Sequence, residues 1–262
     1  MKTVVFLDLD GTLWEWGVVP DSARAAIARA QAGGHKVLTN TGRARSEVPD
    51  LTPLHLDGYC FSAGAEVIVD GKTIVSEPLG AERARAIAWA FDSLGLSYNI
   101  EGGDASWAKI NDVAAWERAR ALTKGTDDPI MFVPRAETMP EQAWDEVHKL
   151  FYYASGDDTL ERARRLMPAG IRLTDLGHGY AEATDVRVTK ATAMETVRSW
   201  LGPDWRTMAM GDSDNDLTML AAADVSVAMG SGNDNVKAMA TWTTTAISDN
   251  GLWNAFEHFG LL

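Results

Sequence analysis

Thr3-Val4-Val5-Phe6-Leu7-Asp8-Leu9-Asp10-Gly11-Thr12-Leu13 opens the chain with an apolar run that ends on two carboxylates one residue apart. A short continuous run of this kind suits a strand buried on both faces of a sheet. Gly11 breaks the pattern, so Asp8 and Asp10 are expected where the strand gives way to a loop. In open parallel α/β sheets that carboxyl edge is where ligands bind. Strand side chains alternate, which predicts that Asp8 and Asp10 point the same way. Two like charges held together in partial burial are costly unless a cation or a shared proton relieves them. The pair therefore predicts chemistry.

From Asp21 or Ser22, either a suitable cap, the apolar positions Ala23, Ala26, Ile27 and Ala30 recur at helical spacing. Gly33-Gly34 ends that helix, and His35-Lys36-Val37-Leu38 starts a second strand that runs out at Thr39-Asn40-Thr41-Gly42-Arg43. Strand, helix, strand is a right-handed βαβ crossover with parallel strands, so both strand ends open on one edge. Tyr59–Ser62 reads as a third strand, and Glu66–Val75 as a hairpin turning at Asp70-Gly71.

Between Pro78 and Gly179 the grammar changes to helices alternating with isolated strands. Helical patterns cover Ala81–Leu94, Asp112–Thr123, Pro140–Val147 and Asp158–Met167, with strand-like runs at Ile130–Val133, Lys149–Ala154, Ile171–Thr174 and Tyr180–Thr184. Trp89, Trp116 and Trp144 fall in helical segments and are expected to pack there. The glycine-rich stretches Glu101–Asp104 and Gly177–Tyr180 read as turns. From Val188 the βα alternation returns through the strands Thr207–Met210 and Val225–Met229 to the end of the chain. The expected fold is α/β: a three-layer, Rossmann-like parallel-sheet core from residues 1–78 and 180–262, interrupted by an α+β domain over 79–179.

The 262 residues carry a net charge of −13, which argues against general affinity for nucleic-acid backbone. It leaves room for an anionic substrate, since a lysine or a metal ion reverses the field locally. A single cysteine, Cys60, excludes a disulfide framework and reads as a small buried hydrophobe. No stretch approaches the roughly 20 apolar residues of a membrane span, and no secretory signal is visible. A cytoplasmic protein, monomeric or weakly homo-oligomeric, with no membrane partner, is expected.

Four segments end at the presumed ligand edge with polar cargo: Asp8 and Asp10, Thr41, Lys190, and Asp212 with Asp216. Singly, each has an ordinary reading. Asp-Gly is often only a turn, one lysine opening a helix is usually solvated, and Gly211-Asp212-Ser213-Asp214-Asn215-Asp216 can be a helix cap. Together they suggest a hard cation bound beside a phosphate, with carboxylate oxygens on the metal and the lysine and hydroxyl on the phosphate.

In order and spacing, Asp8-Leu9-Asp10-Gly11-Thr12-Leu13, Thr41-Gly42-Arg43, Lys190 and Gly211–Asp216 resemble the four motifs of the haloacid dehalogenase superfamily. The resemblance spans essentially the whole chain and is greatest to the Cof-like phosphatases, whose C2-type cap falls where the 79–179 insert lies. It implies that Asp8 is a nucleophile forming an aspartyl-phosphate and that Asp10 is the general acid and base. It implies Mg²⁺ on Asp8, the Asp10 carbonyl and Asp212, with Asp216 as an additional or supporting ligand. Phosphate oxygens would be held by Thr41, Lys190, Asn215 and the amides of Leu9 and Gly42. Asp10 separates phosphoester hydrolysis from the dehalogenases, which lack that second acid. The chain departs at Gly230-Ser231-Gly232, where Cof-like proteins usually show Gly-Asn-Ala, so no substrate contact carries over there. The implied function is Mg²⁺-dependent hydrolysis of small phosphomonoesters such as sugar phosphates, with the cap choosing the substrate. A phosphomutase or phosphotransferase of the same fold, or a non-catalytic phosphometabolite sensor, is the alternative.

Overall fold

The computed structural model describes residues 2–15, 18–122, 133–154 and 158–262. Trp16 and the strand expected at 130–133 fall outside the described residues, save for Val133. In chain order the regular elements begin with β1 (Lys2–Leu7), α1 (Asp21–Ala32), β2 (Lys36–Asn40), β3 (Gly58–Phe61), β4 (Glu66–Val69) and β5 (Lys72–Ser76). Next come α2 (Ala81–Ser93), β6 (Ser97–Gly102), β7 (Ser106–Lys109), α3 (Val113–Leu122), β8 (Val147–Tyr153), α4 (Thr159–Arg164), β9 (Ile171–Gly177) and β10 (Tyr180–Asp185). The chain closes with α5 (Lys190–Leu201), β11 (Trp205–Gly211), α6 (Leu217–Ala222), β12 (Val225–Ala228), α7 (Asp234–Met239), β13 (Trp242–Thr243) and α8 (Gly251–His258).

Two compact units result. The first comprises 1–42, 50–76 and 189–262; the second comprises 43–49 and 77–188. The boundary expected at Tyr180 lies at Val188 instead, because β10 pairs antiparallel with both β8 and β9 and so completes the second sheet. The short return of 43–49 to the second unit carried no sequence signal.

The first unit holds one sheet in the order β13-β12-β11-β1-β2-β3-β4-β5. The pairings from β13 to β3 are parallel, and β4–β5 is the antiparallel hairpin, with Asp70 and Gly71 both at positive φ in its turn. Val4 and Phe6 on one face of β1 join a core with Met194 and Val197 of α5, Met219 and Leu220 of α6, and Val236 of α7. Helices α1 and α8 pack on each other. Each fully buried large side chain in such a core contributes about 1.5–3 kcal/mol. Helix α1 buries the four expected residues, though it begins on Asp21 itself, with Pro20 ahead of it. Consecutive strands step from β1 through β2 to β3, then the chain resumes at β11 on the opposite side of β1. That reversal is a topological switch point, which places a ligand-binding edge at the carboxyl ends of β1 and β11.

The second unit is a five-stranded antiparallel sheet, β7-β6-β8-β10-β9. Alternation gives it two unlike faces. Tyr98, Ile100, Leu150, Tyr152, Ala181 and Ala183 share a core with Ile87 and Phe91 of α2. The opposite face carries Asn99, Glu101, Lys149 and Glu182, all buried. The β6–β7 hairpin was not anticipated, although Ser97-Tyr98-Asn99-Ile100-Glu101 alternates polar and apolar as a strand should. The helical pattern at Pro140–Val147 becomes a 3₁₀ turn, Glu141–Glu146, because Val147 already belongs to β8. Trp116 is buried edge-to-face on Tyr153, and Trp144 packs at the rim of the core beneath Arg85. Trp89, by contrast, is 66% exposed, because α2 turns Ala84, Ile87, Ala88 and Phe91 inward.

Candidate active site

The carboxyl ends of β1 and β11 bring the two acidic loops together. Leu7 is in register with Met210 of β11 and Thr39 of β2, and the Asp8 amide continues the ladder by donating to the Met210 carbonyl at 3.0 Å. Asp8 follows the parity of Val4 and Phe6 and points to the α5 side. There the Lys190 ammonium, at the first residue of α5, donates to Asp8 Oδ1 at 2.5 Å and to Asp216 Oδ1 at 2.6 Å. Asn215 Oδ1 lies 3.4 Å from the same Nζ. Lys190 is 2% exposed, Asp8 4% and Asp216 0%, so these charges are compensated by one another rather than by water.

The loop after β11 is held by its own side chains. Asp216 Oδ2 accepts the amides of Asp212 at 2.9 Å and Ser213 at 3.1 Å, and Ser213 Oγ bonds Asn215 Oδ1 at 2.9 Å. The helix-cap reading of this stretch is thus correct, and the cap also aims Asp216 Oδ1 at Lys190. Asp216 serves three donors, a supporting geometry for Asp212 more than that of a vacant ligand. Close packing sets the glycines: a Cβ on Gly211 would lie 2.4 Å from Asp216 Cγ, and one on Gly11, at φ +76°, 2.5 Å from Asp212 Oδ2. A Cβ on Gly232 would lie 2.9 Å from the Asp212 carbonyl oxygen, which also accepts the Asn233 amide at 3.0 Å. The Gly230-Ser231-Gly232 departure therefore keeps a packing role.

Burial, reinforced by Asp216, pushes the Asp8 carboxyl well above its usual range, and Lys190 opposes that shift. Burial and Asp216 likewise push Asp212 up to about 6. Burial works against the Lys190 charge, but Asp216 and Asp8 outweigh it and hold the ammonium. Asp10 adds to the repulsion at both Asp8 and Asp212. It is nonetheless exposed, because β1 ends at Leu7 and the strand alternation no longer governs it. A turn takes over: the Leu9 carbonyl accepts the amides of Leu13 at 3.0 Å and Trp14 at 2.8 Å, and Gly11 donates to Trp14. Leu9 itself is buried.

Thr41 and Gly42 follow β2 at the same edge, with the Thr41 amide bonded to the Cys60 carbonyl at 2.9 Å. Cys60 is buried, as expected, and its thiol is pushed up to about 12 by burial. Sequence reasoning missed Asn40, whose Nδ2 donates to the Lys190 carbonyl at 2.8 Å and pins the start of α5. Its place directly before Thr41 was the available signal.

Asp8, Asp212 and Asp216 each offer a carboxylate oxygen within 4.8 Å of the other two. Asp212 Oδ1 is buried and has no hydrogen-bond partner among the described residues. An orphaned carboxylate oxygen in an all-oxygen, net-negative cluster fits a hard divalent cation such as Mg²⁺.

The chain matches the haloacid dehalogenase-like hydrolase family over residues 5–256. It belongs to that family. It is 41% identical over 273 residues to the 5-amino-6-(5-phospho-D-ribitylamino)uracil phosphatase YitU of Bacillus subtilis, covering 98% of each chain. It is 27% identical over 268 residues to a Streptococcus pyogenes protein whose name joins phosphatase to peptidyl-prolyl cis-trans isomerase; this covers 99% of the chain and 54% of that protein, so the chain spans about half its length. In fold it is similar to the phosphatase BT1666 of Bacteroides thetaiotaomicron, with a TM-score of 0.85 and 24% identity over 100% of this chain and 96% of that one. Among the described residues no helix is long and apolar enough to cross a membrane.

Proposed function

We propose that this hydrolase is a Mg²⁺-dependent phosphatase acting on small phosphomonoesters through an aspartyl-phosphate on Asp8. The observation that carries the reading is the buried Asp8–Lys190–Asp216 chain beside the orphaned oxygen of Asp212. The matched family and the phosphatase named among its relatives support it. Asp8 attacks phosphorus as the carboxylate, and Lys190 keeps that form available against burial. Asp10, exposed at the loop, protonates the leaving oxygen and then takes the proton of the attacking water. Lys190, Asn215, Thr41 and the amides of Leu9 and Gly42 hold phosphate oxygens, while Asp216 orients Lys190 and the Asp212 loop. Asp8, Asp212 and the Asp10 carbonyl would hold Mg²⁺, with Asp216 supporting them; when bound it neutralises charge on the phosphoryl group. The demand is large, since phosphate-monoester hydrolysis can need acceleration by up to about 10²¹-fold, while acid–base help supplies only about 10²–10⁴. Covalent division, positioning and charge neutralisation must supply the balance.

The second unit, an insert of the C2 type, chooses the substrate in this reading. Phosphate release over a panel of phosphometabolites, with p-nitrophenyl phosphate as a generic substrate, tests it. Chelation with EDTA should abolish release and added Mg²⁺ restore it; undiminished release in chelator would remove the metal from the reading. Transfer of phosphate to added sugars in place of water would favour a phosphotransferase.

A further inference from the structure

The two residues after β3 adopt a backbone that side chains rarely accept. Ser62 has φ +49° and Ala63 φ +56°, both in the left-handed region where glycine is the usual occupant. Neither is held there by its own side chain: Ser62 is 1% exposed, and its Oγ has no hydrogen-bond partner among the described residues. Such a conformation persists only where the surroundings impose it.

A shift in the ladder between β2 and β3 imposes it at one end. The Thr41 amide donates to the Cys60 carbonyl at 2.9 Å, in keeping with the parallel register of Asn40 with Cys60. A regular parallel ladder would then return to the Thr41 carbonyl from the Ser62 amide. The Ala63 amide donates there instead, at 2.8 Å. Ser62 is therefore an extra residue, the mark of a β-bulge, and the chain turns sharply past it. At the other end Gly64, with φ +111°, reaches the start of α5. A Cβ on Gly64 would lie 2.8 Å from Ala193 Cβ and 3.1 Å from the Thr189 carbonyl oxygen. That carbonyl accepts the Ala193 amide and closes the first turn of α5, which opens with Lys190.

One end of the turn is thus bonded to the Thr41 main chain, and the other packs on the helical turn that carries Lys190, all within the first unit. Asn40 already ties β2 to α5 through the Lys190 carbonyl, and the bulge adds a second tie from β3. We propose that Ser62-Ala63-Gly64 is a positioning element, which sets the spacing between Thr41 and Lys190 and with it the grip on phosphate. This rests on the phosphatase reading, which gives Thr41 and Lys190 their roles. A contact with no spare room suits the task, because a close-packed interior transmits displacement.

The grip is read by calorimetric binding of inorganic phosphate with Mg²⁺ present, and by kcat/KM for p-nitrophenyl phosphate. Gly64→Ala presses on α5 from the turn, and Ala193→Ser enlarges the same contact from the helix. A misplacement of about 1 Å can cost about 10²-fold, so we expect Gly64→Ala to weaken both readouts by about 30-fold and Ala193→Ser by about 5-fold. Val197→Ala, further along α5 and buried in the same core, controls for lost stability. It should lower the urea midpoint at least as far as Ala193→Ser does, yet leave both readouts unchanged. Should Gly64→Ala fail to fold, Ala193→Ser against Val197→Ala decides alone. Readouts at the wild-type level in Ala193→Ser, or an equal loss in Val197→Ala, overturn the positioning role. Phosphate binding in the expected order with no hydrolysis by the wild type upholds the turn and overturns the phosphatase reading. A wild type that neither binds phosphate nor releases it overturns both.

Discussion

Among the described residues one lysine is buried among carboxylates twice, and the two clusters are made in different ways. Around Lys190 the acids come from loops at the carboxyl ends of parallel strands, drawn from positions 8, 212 and 216. Around Lys149 they come from the face of an antiparallel sheet, placed by cross-strand register. Loop ends let carboxylate oxygens approach to within 4.8 Å of one another, the spacing a small cation requires. A sheet face spreads its groups along the pleat, with opposed Cβ atoms about 4.5–5.5 Å apart and diagonal ones farther. The same residue types therefore form a compact acidic cluster in one unit and a cross-strand ladder in the other.

The largest effect should come from Asp8→Asn, which removes the nucleophile and leaves Lys190 bonded to Asp216. Turnover should fall by about 10⁴-fold or more with thermal unfolding little changed; near-normal phosphate release would end the assignment of Asp8. The next separates the clusters by what can substitute for the lysine. Lys190→Met and Lys149→Met each strand buried carboxylates and should destabilise by about 3–5 kcal/mol in urea unfolding. Millimolar Mg²⁺ should recover part of the loss for Lys190→Met and none for Lys149→Met; equal recovery in both would erase the distinction.

A smaller, pH-dependent effect follows from Asp212, raised from its ordinary 3.8 to about 6. Between those values the folded protein holds the extra proton, so this group's contribution to stability falls as pH rises through the window. Mg²⁺ must displace that proton, so its apparent affinity should weaken by up to about tenfold per pH unit below 6. Titration of Mg²⁺ at pH 7.5 and 5.0, followed by thermal shift, checks both signs. The smallest effect belongs to Asn40→Ala, which loses the bond to the Lys190 carbonyl. We expect about 1 kcal/mol in the denaturant midpoint and a modest rise in KM.

Much of the first unit was legible because its signals are local. The run Val4–Leu7 ahead of Asp8, the Asp70-Gly71 turn and the spaced apolar residues of α1 each report on their own neighbourhood, and the structure places them as read. Asp10 is exposed where Asp8 is buried, because Leu9 and Gly11 turn the chain past the end of β1, yet it still acts on both Asp8 and Asp212. The second unit was harder. Its β6–β7 hairpin had the right alternation but a glycine-rich turn that drew the eye to Gly102-Gly103, and Glu141–Glu146 kept helical spacing in a 3₁₀ turn too short to continue.

The sequence by itself determined the order of the acids and the Lys190 helix start, hence the family and the class of chemistry, because those residues must fall at strand ends whatever surrounds them. Only the tertiary structure decided that Glu47, Asn99, Glu101, Lys149 and Glu182 share one face. Their meeting depends on the register of three antiparallel strands and on a segment that returns from position 43, and a one-residue slip would turn every one of the strand residues to the opposite side.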